Sequence, residues 1–269
     1  DFAPDDWKNI IRRTEAMNAD GLDISFQVAP RAIGSFTGMN CTFHPLMAHP
    51  SYLGIREKPL AERVAIMRDP TFKKQLLSET PIQLAGEGSP VPPIVDMMIA
   101  SFEQLAEKQF KLNYSGKVDY EQTGETSLAA LARKNGVSVW EQAYDMLLED
   151  DGKALIYYPV YNYYEMNYDN VLTMMQHPKA LPGLSDGGAH VGTICDASFP
   201  TTLIQHWGRD RSRGDKIPLQ TLVKMQTSET ATRLGLLDRG LLKPGYKADV
   251  NIIDFDALTL HEPEVVNDL

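Results

Sequence analysis

Apolar residues recur at helical spacing in the first part of the chain and then alternate as they do in a strand. Asp5 and Asp6 place negative charge at the start of the helical pattern, which is where a helix N-terminus favours it. Gly21 ends this pattern, and residues 22–28 (LDISFQV) then alternate between apolar and polar positions. The pattern therefore predicts a helix followed by a half-buried strand.

Helical and strand-like patterns continue to alternate along the chain. Ser138 and Glu141 have the spacing of a capping box, which favours a helix from residue 139 onward. Strands separated by helices are typical of an α/β fold with a mainly parallel sheet. The predicted strands are 22–28, 82–85, 154–160 and 180–184, and the further predicted helices are 59–68, 71–77, 94–112, 128–134, 139–149, 167–176, 198–209, 218–226 and 228–234.

The last part of the chain changes character. Gly240, Pro244 and Gly245 are turn residues, and residues 248–253 (ADVNII) read as a strand that does not continue the earlier alternation. We therefore expect residues 1–235 to form one region and residues 236–269 to return into a small β domain. Four strand candidates before that point are fewer than the eight of a closed α/β barrel, so the chain is predicted to contain only part of one.

Composition restricts the class of protein. The 269 residues include 26 basic and 36 acidic side chains, which gives a net charge of −10, and 43% of the residues are hydrophobic. That balance is ordinary for a folded globular chain and argues against binding to nucleic acid or to anionic membranes. No run approaches the ~20 apolar residues of a membrane span. Two widely separated cysteines indicate a reducing, cytoplasmic setting.

The strongest candidate for chemistry is the segment 184–190 (LSDGGAH). Asp186 follows the apolar strand predicted at 180–184 and precedes two glycines, which permit a tight turn and close approach of a ligand. A carboxylate in that place can bind a divalent metal and take a proton from the attacking water. Spacing alone leaves an alternative open, in which Asp186 is a turn residue that caps the next helix.

Longer segments carry a family resemblance. GLSDGGAHVG, followed by SETATRLGLLDRGLLKPGYKADVNIID, resembles the C-terminal half of the amidohydrolase superfamily, and more narrowly its D-aminoacylase (N-acyl-D-amino-acid deacylase) branch. The segment FQVAPRAIG resembles a weaker family motif upstream. The resemblance implies the C-terminal part of a (β/α)8 TIM-type barrel, a small β domain, and zinc-assisted hydrolysis of an amide.

The resemblance also implies roles for single residues. Asp186 matches the family's aspartate on the last strand, which is both a metal ligand and the general base. The family's paired HxH histidines have no match, since none of the six histidines here forms HxH. Because a zinc site needs about three protein ligands, we expect this chain to be inactive alone and to need a missing N-terminal half or a partner chain.

Other residues are weaker candidates. His190, four residues after Asp186, is predicted to bind substrate at the same mouth. Arg31 follows the first strand, where a guanidinium could hold a substrate carboxylate through paired hydrogen bonds, and the alternative is a surface arginine. His44 and His49 lie on a Pro-rich loop and match no standard zinc spacing. A cluster of tyrosines could line an acyl pocket, although core packing suits most of them better: Tyr157, Tyr158, Tyr161, Tyr163 and Tyr164.

Three functions remain open at this point. The first is a zinc-dependent hydrolase that cleaves the amide of an N-acyl amino acid of D configuration. The second is another reaction on the same scaffold, such as opening of a cyclic amide or deamination. The third is a catalytically silent half-barrel that acts as a structural partner. An exposed sheet edge in an incomplete barrel also predicts a homo-oligomer.

Overall fold

The computed structural model describes residues 3–41, 43–185, 187 and 190–266. Two compact units divide the chain. The first, unit 1, comprises Asp1–Ile33, Val160–Gly187 and Asp196–His261, and the second, unit 2, comprises Gly34–Pro159, Gly188–Cys195 and Glu262–Leu269. The fold is mixed α/β, as the alternating pattern predicts.

The described residues contain five strands and twelve α-helices. The strands are β1 (Phe26–Val28), β2 (Ile33–Thr37), β3 (Phe110–Lys111), β4 (Ile156–Tyr161) and β5 (Ala180–Pro182). The helices are α1 (Asp6–Ala19), α2 (Pro50–Leu53), α3 (Leu60–Met67), α4 (Pro70–Leu77), α5 (Pro93–Ala100), α6 (Phe102–Leu105), α7 (Leu128–Asn135), α8 (Val139–Leu147), α9 (Asp169–Met175), α10 (Phe199–Gln205), α11 (Leu219–Lys224) and α12 (Thr230–Arg233). None of the helices described here has both the length and the apolar character needed to cross a bilayer.

Unit 1 is built on a parallel pair of short strands. β1 pairs with β5 in the register Phe26↔Ala180 to Val28↔Pro182. Buried aromatic side chains surround the end of this pair, and the indole Nε1 of Trp207 donates to the Pro30 carbonyl over 2.6 Å. The backbone N–H of Ala32 donates to the Tyr168 hydroxyl over 3.2 Å. The chain that leaves β1 is therefore held by buried polar contacts as well as by packing.

Unit 2 combines a small sheet with a helical core. The sheet has the strand order β2-β4-β3, and β3 runs antiparallel to β4. The core packs α3, α4, α7 and α8 around fully buried side chains such as Leu76 and Tyr144. The Tyr144 hydroxyl donates to the Met67 carbonyl over 2.6 Å, so this buried polar group is satisfied.

Local capping explains why several helices are where the sequence predicts them. The Ser138 hydroxyl accepts a hydrogen bond from the Glu141 N–H at the start of α8. The Ser127 hydroxyl does the same for Ala130 in α7, and Gly136 ends α7 with φ of 68°. Such caps each contribute about 1 kcal/mol. The predicted opening helix is confirmed as α1.

Several predicted elements are wrong. Residues 82–85 are not a strand, because the backbone N–H groups of Leu84 and Ala85 donate to the two carboxylate oxygens of Asp96, each over 2.8 Å. These donors are then not free for a strand ladder. The helix predicted over 94–112 is broken at Ser101 into α5 and α6, and it gives way to β3.

The tail and the sheet direction also differ from expectation. Residues 248–253 are not a strand and do not pair with any strand in the described chain. Their apolar side chains stay in solvent, with Ile252 98% exposed. The antiparallel pairing of β3 with β4 departs from the expected mainly parallel sheet. Both β2 and β3 escaped prediction because neither has a period-two pattern of useful length.

Gly34 tests the packing of the sheet in unit 2. A Cβ at this position would lie 2.5 Å from Cε2 of Tyr157 and 2.6 Å from the Tyr158 carbonyl oxygen. We expect Gly34→Ala to lower the free energy of unfolding by roughly 1–3 kcal/mol, which is typical of overpacking. Gly86→Ala is the matched control, since nothing lies within 4 Å of its added Cβ. Urea unfolding of both variants measures the difference, and equal midpoints would contradict the packing shown here.

Candidate active site

The carboxyl ends of β1 and β5 lie side by side, because the two strands are parallel neighbours. The ladder continues past β5, where the Gly183 N–H donates to the Val28 carbonyl over 2.9 Å. Gly183 is required for this approach, since a Cβ there would lie 2.6 Å from Cβ of Gln27. The segment that carries Ser185 therefore leaves the sheet at the edge where α/β proteins place their functional loops.

Two non-glycine residues with left-handed backbone flank Asp186. Leu184 has φ of 67° and His190 has φ of 52°. Such conformations cost roughly 1–3 kcal/mol and are enriched at functional sites. Asp186 itself lies outside the described residues, as do Gly188 and Ala189. Its predicted roles as metal ligand and general base stay predictions.

His190 has an exposed side chain. Its backbone carbonyl accepts hydrogen bonds from the N–H groups of Thr193 and Ile194, each over 2.9 Å. These bonds form a local turn that holds the backbone of His190 while leaving its imidazole in solvent. Its predicted contact with substrate stays a prediction.

Arg31 is not a surface arginine, because its side chain is 0% exposed. Its Nη2 lies 3.7 Å from Oδ1 of Asp196 and donates to the Ser198 hydroxyl over 3.1 Å. The guanidinium also lies over the ring of Phe199, 4.3 Å from the ring centroid. Asp196 is 2% exposed, so both members of this ion pair are buried inside unit 1. The predicted substrate contact of Arg31 stays a prediction.

Asp196, Ser198 and Phe199 are residues of this region that sequence reasoning missed. Asp196 and Ser198 lie just before α10, and Phe199 is its first residue. Their only sequence signal is position, since Asp196 and Ser198 read as ordinary residues ahead of a helix whose second residue is Pro200. Their contact with a side chain more than 160 residues earlier could not be foreseen from spacing.

The described residues do not by themselves fit a zinc ion. A zinc site needs about three protein ligands, and no three His, Cys, Asp or Glu side chains come together in this way within the described chain. Asp186 is not among the residues covered by that statement. No step of a reaction is therefore assigned to the metal from this geometry.

His44 and His49 are buried in unit 2 instead of lining an open mouth. The His44 ring packs edge-on against Tyr52 at 4.5 Å between centroids, and the His49 ring packs against Trp140 at 5.2 Å. Burial, and after it the charge of Arg63, lowers the pKa of His44 to about 3. Burial also lowers the pKa of His49. Both imidazoles thus act as neutral core side chains.

The tyrosine cluster separates into core and surface members. Tyr157 is 1% exposed in unit 2, where its ring packs against Phe36 and Tyr120 at 5.1 and 5.2 Å. Tyr163 is buried in unit 1. Tyr161 and Tyr164 are nearly half exposed. The prediction of a packing role is confirmed for the buried members.

Comparison with known proteins identifies one family. The family model described as the amidohydrolase family matches residues 93–269, which is well over half of the chain. This match includes the segment of Asp186 and ends with the chain. No curated protein and no solved structure matches the chain at a significant level.

Neutral His44 makes stability depend on pH. The pKa of about 3 in the folded state lies below the ordinary value of 6.5, so the unfolded chain binds a proton that the folded chain does not. Its contribution to stability is complete above pH 6.5 and is lost as the pH falls towards 3. We expect His44→Phe to reduce the slope of unfolding free energy against pH in this window, leaving a smaller slope from His49.

Chemical denaturation at a series of pH values measures this slope. The exposed His261 provides a control, and His261→Gln should leave the slope of the parent chain unchanged. A His44→Phe chain with the parent slope would contradict the neutral, buried state of His44.

Proposed function

Because this chain belongs to the amidohydrolase family, we propose that it hydrolyses the amide of an N-acyl amino acid, with preference for the D configuration. Hydrolase activity is what the family match supports. The narrower substrate class comes from the likeness of GLSDGGAHVG and the following RGLLKPGYKAD segment to the D-aminoacylase branch. The observation that carries the proposal is the parallel pairing of β1 with β5, whose carboxyl ends lie side by side shortly before the segment that contains Asp186 in the sequence.

In this proposal Asp186 moves the proton of the reaction. The carboxylate takes a proton from the attacking water, the oxygen bonds to the acyl carbon, and the proton passes to the leaving amine as the C–N bond breaks. His190, whose side chain is exposed, orients the substrate in this proposal. The family resemblance implies a zinc ion, for which Asp186 would supply one ligand. Within the described residues no three His, Cys, Asp or Glu side chains come together to complete such a site, so no step is assigned to the metal.

The wider architecture is part of the same proposal. We propose that residues 1–235 belong to a (β/α)8 barrel and residues 236–269 to a small β domain. The parallel ladder of β1 and β5 supports the first assignment. The exposed apolar side chains of Leu242 and Ile252 support the second, since they would be covered in a sheet domain or in a homo-oligomer.

The substrate class is tested with the complete gene product loaded with zinc. Matched N-acetyl-D- and N-acetyl-L-amino acids are assayed for amine release, beside a cyclic amide and an aminopyrimidine. Faster turnover of the D series is expected. Turnover of the cyclic amide or of the aminopyrimidine alone would favour the other reactions of the family, and hydrolysis of none of the four would overturn the proposal in favour of a structural role.

Asp186→Asn tests the residue that carries the chemistry. The amide side chain keeps the size but cannot take a proton, so kcat/KM should fall by about 10²–10⁴, while the thermal midpoint stays close to that of the parent. Asp20→Asn, at an exposed aspartate that follows α1, is the control and should retain activity. Near-parental kcat/KM in Asp186→Asn would make Asp186 only a turn residue.

A further inference from the structure

We propose that a cleft in unit 2 binds a small organic amine, in which a protonated amino group is attached to an aromatic or branched apolar body. The cleft lies between residues 80–86, α5 and the start of α8. Its lining residues belong to unit 2. The site goes beyond the proposed hydrolysis and does not depend on it.

The cleft has the size and the surface of a small-molecule site. Its volume is about 650 Å³, and pockets of roughly 300–1,000 Å³ lined mainly by apolar side chains are typical of such sites. Ile99 is buried and Ile82 is 48% exposed, so the cleft extends from the core of unit 2 to its surface. The apolar part of the lining includes Pro81, Ile82, Pro93, Ile99 and Trp140.

The walls of the cleft are fixed by contacts within the protein. The Ile82 N–H donates to the Ala48 carbonyl over 2.9 Å, which holds one wall. In another wall, the indole Nε1 of Trp140 donates to Oε1 of Glu103 over 3.2 Å, and the indole ring packs against Phe102 at 4.6 Å between centroids. A site whose side chains are already ordered loses less conformational entropy when a ligand binds.

Asp96 places a carboxylate in this mainly apolar lining. Its two carboxylate oxygens accept hydrogen bonds from the N–H groups of Leu84 and Ala85, each over 2.8 Å. A carboxylate oxygen can accept more than one hydrogen bond, so Asp96 keeps acceptor capacity beyond these two bonds. Among the described residues Asp96 has no ion-pair partner, and neither lysine nor arginine is part of the described lining.

This combination favours a cation with an apolar body over other small ligands. A protonated amine supplies donors and a positive charge to Asp96, and charge-assisted hydrogen bonds are stronger than neutral ones. An amino acid or N-acyl amino acid, the product or substrate of the proposed hydrolysis, also has a carboxylate, which no lysine or arginine of the described lining would balance. The volume exceeds what one lysine side chain fills, so the ligand is a free amine and not a lysine of a partner protein.

Equilibrium dialysis of the complete gene product with matched ligands tests the charge. Phenethylamine is protonated near pH 7, since alkyl amines have pKa values of about 10, whereas phenethyl alcohol has the same apolar body without the charge. The amine should bind at least about tenfold more tightly than the alcohol, and phenylalanine should bind more weakly than the amine. Equal affinity for amine and alcohol, no binding of the amine, or phenylalanine bound as tightly as the amine would each overturn the proposal. Tetralysine bound in place of the amine would indicate a basic protein partner and overturn it as well.

Asp96→Asn tests the carboxylate. The variant keeps the size and one acceptor oxygen but removes the charge, so affinity for phenethylamine should fall about tenfold while affinity for phenethyl alcohol stays unchanged. Asp69→Asn is the matched control, because Asp69 also accepts two backbone N–H donors, from Thr71 and Phe72, but lies outside the cleft. This control should bind both ligands as the parent does. An equal loss of both ligands in Asp96→Asn would mean that Asp96 only shapes the cleft, which overturns the proposal.

Ala100→Phe tests the location and leaves Asp96 in place. Ala100 is the exposed last residue of α5 and lines the cleft, so a phenyl ring there should fill the space and abolish binding of phenethylamine. Ala65→Phe, at an exposed position of α3 outside the cleft, is the control and should bind the amine as the parent does. Thermal midpoints close to that of the parent show that both variants are folded. Undiminished binding in Ala100→Phe would place the amine elsewhere and overturn the proposal.

Discussion

The close approach of β1 and β5 is the constraint on which the rest of unit 1 depends. It is possible only because Gly183 lacks a side chain where Gln27 occupies the space. With that approach the Gly183 N–H reaches the Val28 carbonyl, and the segment of Asp186 leaves the sheet beside the segment of Arg31. A larger residue at position 183 would separate the strand ends and move the two segments apart, even with every helix of the unit in place.

Much of the helical structure could be predicted from the sequence, because its determinants are local. Ser127 and Ser138 cap helices whose starts the sequence indicates, and Gly136 ends one. The strands were harder to predict, because they pair with strands far along the chain. Residues 82–85 have the composition of a strand, yet the Asp96 carboxylate takes their backbone donors. The spacing of residues along the chain does not indicate that a carboxylate eleven or twelve residues later accepts these hydrogen bonds.

The same difference between local and long-range determinants decides which parts of the candidate site could be predicted. The motif around Asp186 is contiguous, so the sequence alone indicates it, and the family match covers that segment. The burial of Arg31 depends on Asp196 and Phe199, which are more than 160 residues away, and a lone arginine after a strand reads equally well as a surface residue or as a ligand for substrate. Whether a charged side chain is buried is decided by its tertiary partners, and periodicity does not reveal them.

The use of buried arginines in unit 1 has a physical consequence for how its loops are held. A buried ion pair contributes little more to stability than apolar side chains of the same volume would, because desolvation offsets the attraction. Its difference from an apolar contact is direction, because a guanidinium offers donors at fixed angles. Nη2 of Arg31 donates to the Ser198 hydroxyl over 3.1 Å and lies 3.7 Å from Oδ1 of Asp196, which is an ion-pair distance and too long for a hydrogen bond. An apolar residue at position 31 could fill the space against Phe199, but it would remove the positive charge that lies beside the buried Asp196 carboxylate. Removing one member of a buried ion pair typically destabilises a fold by about 3–5 kcal/mol, so the pair of Arg31 and Asp196 is kept in place by the cost of breaking it, even though forming it adds little.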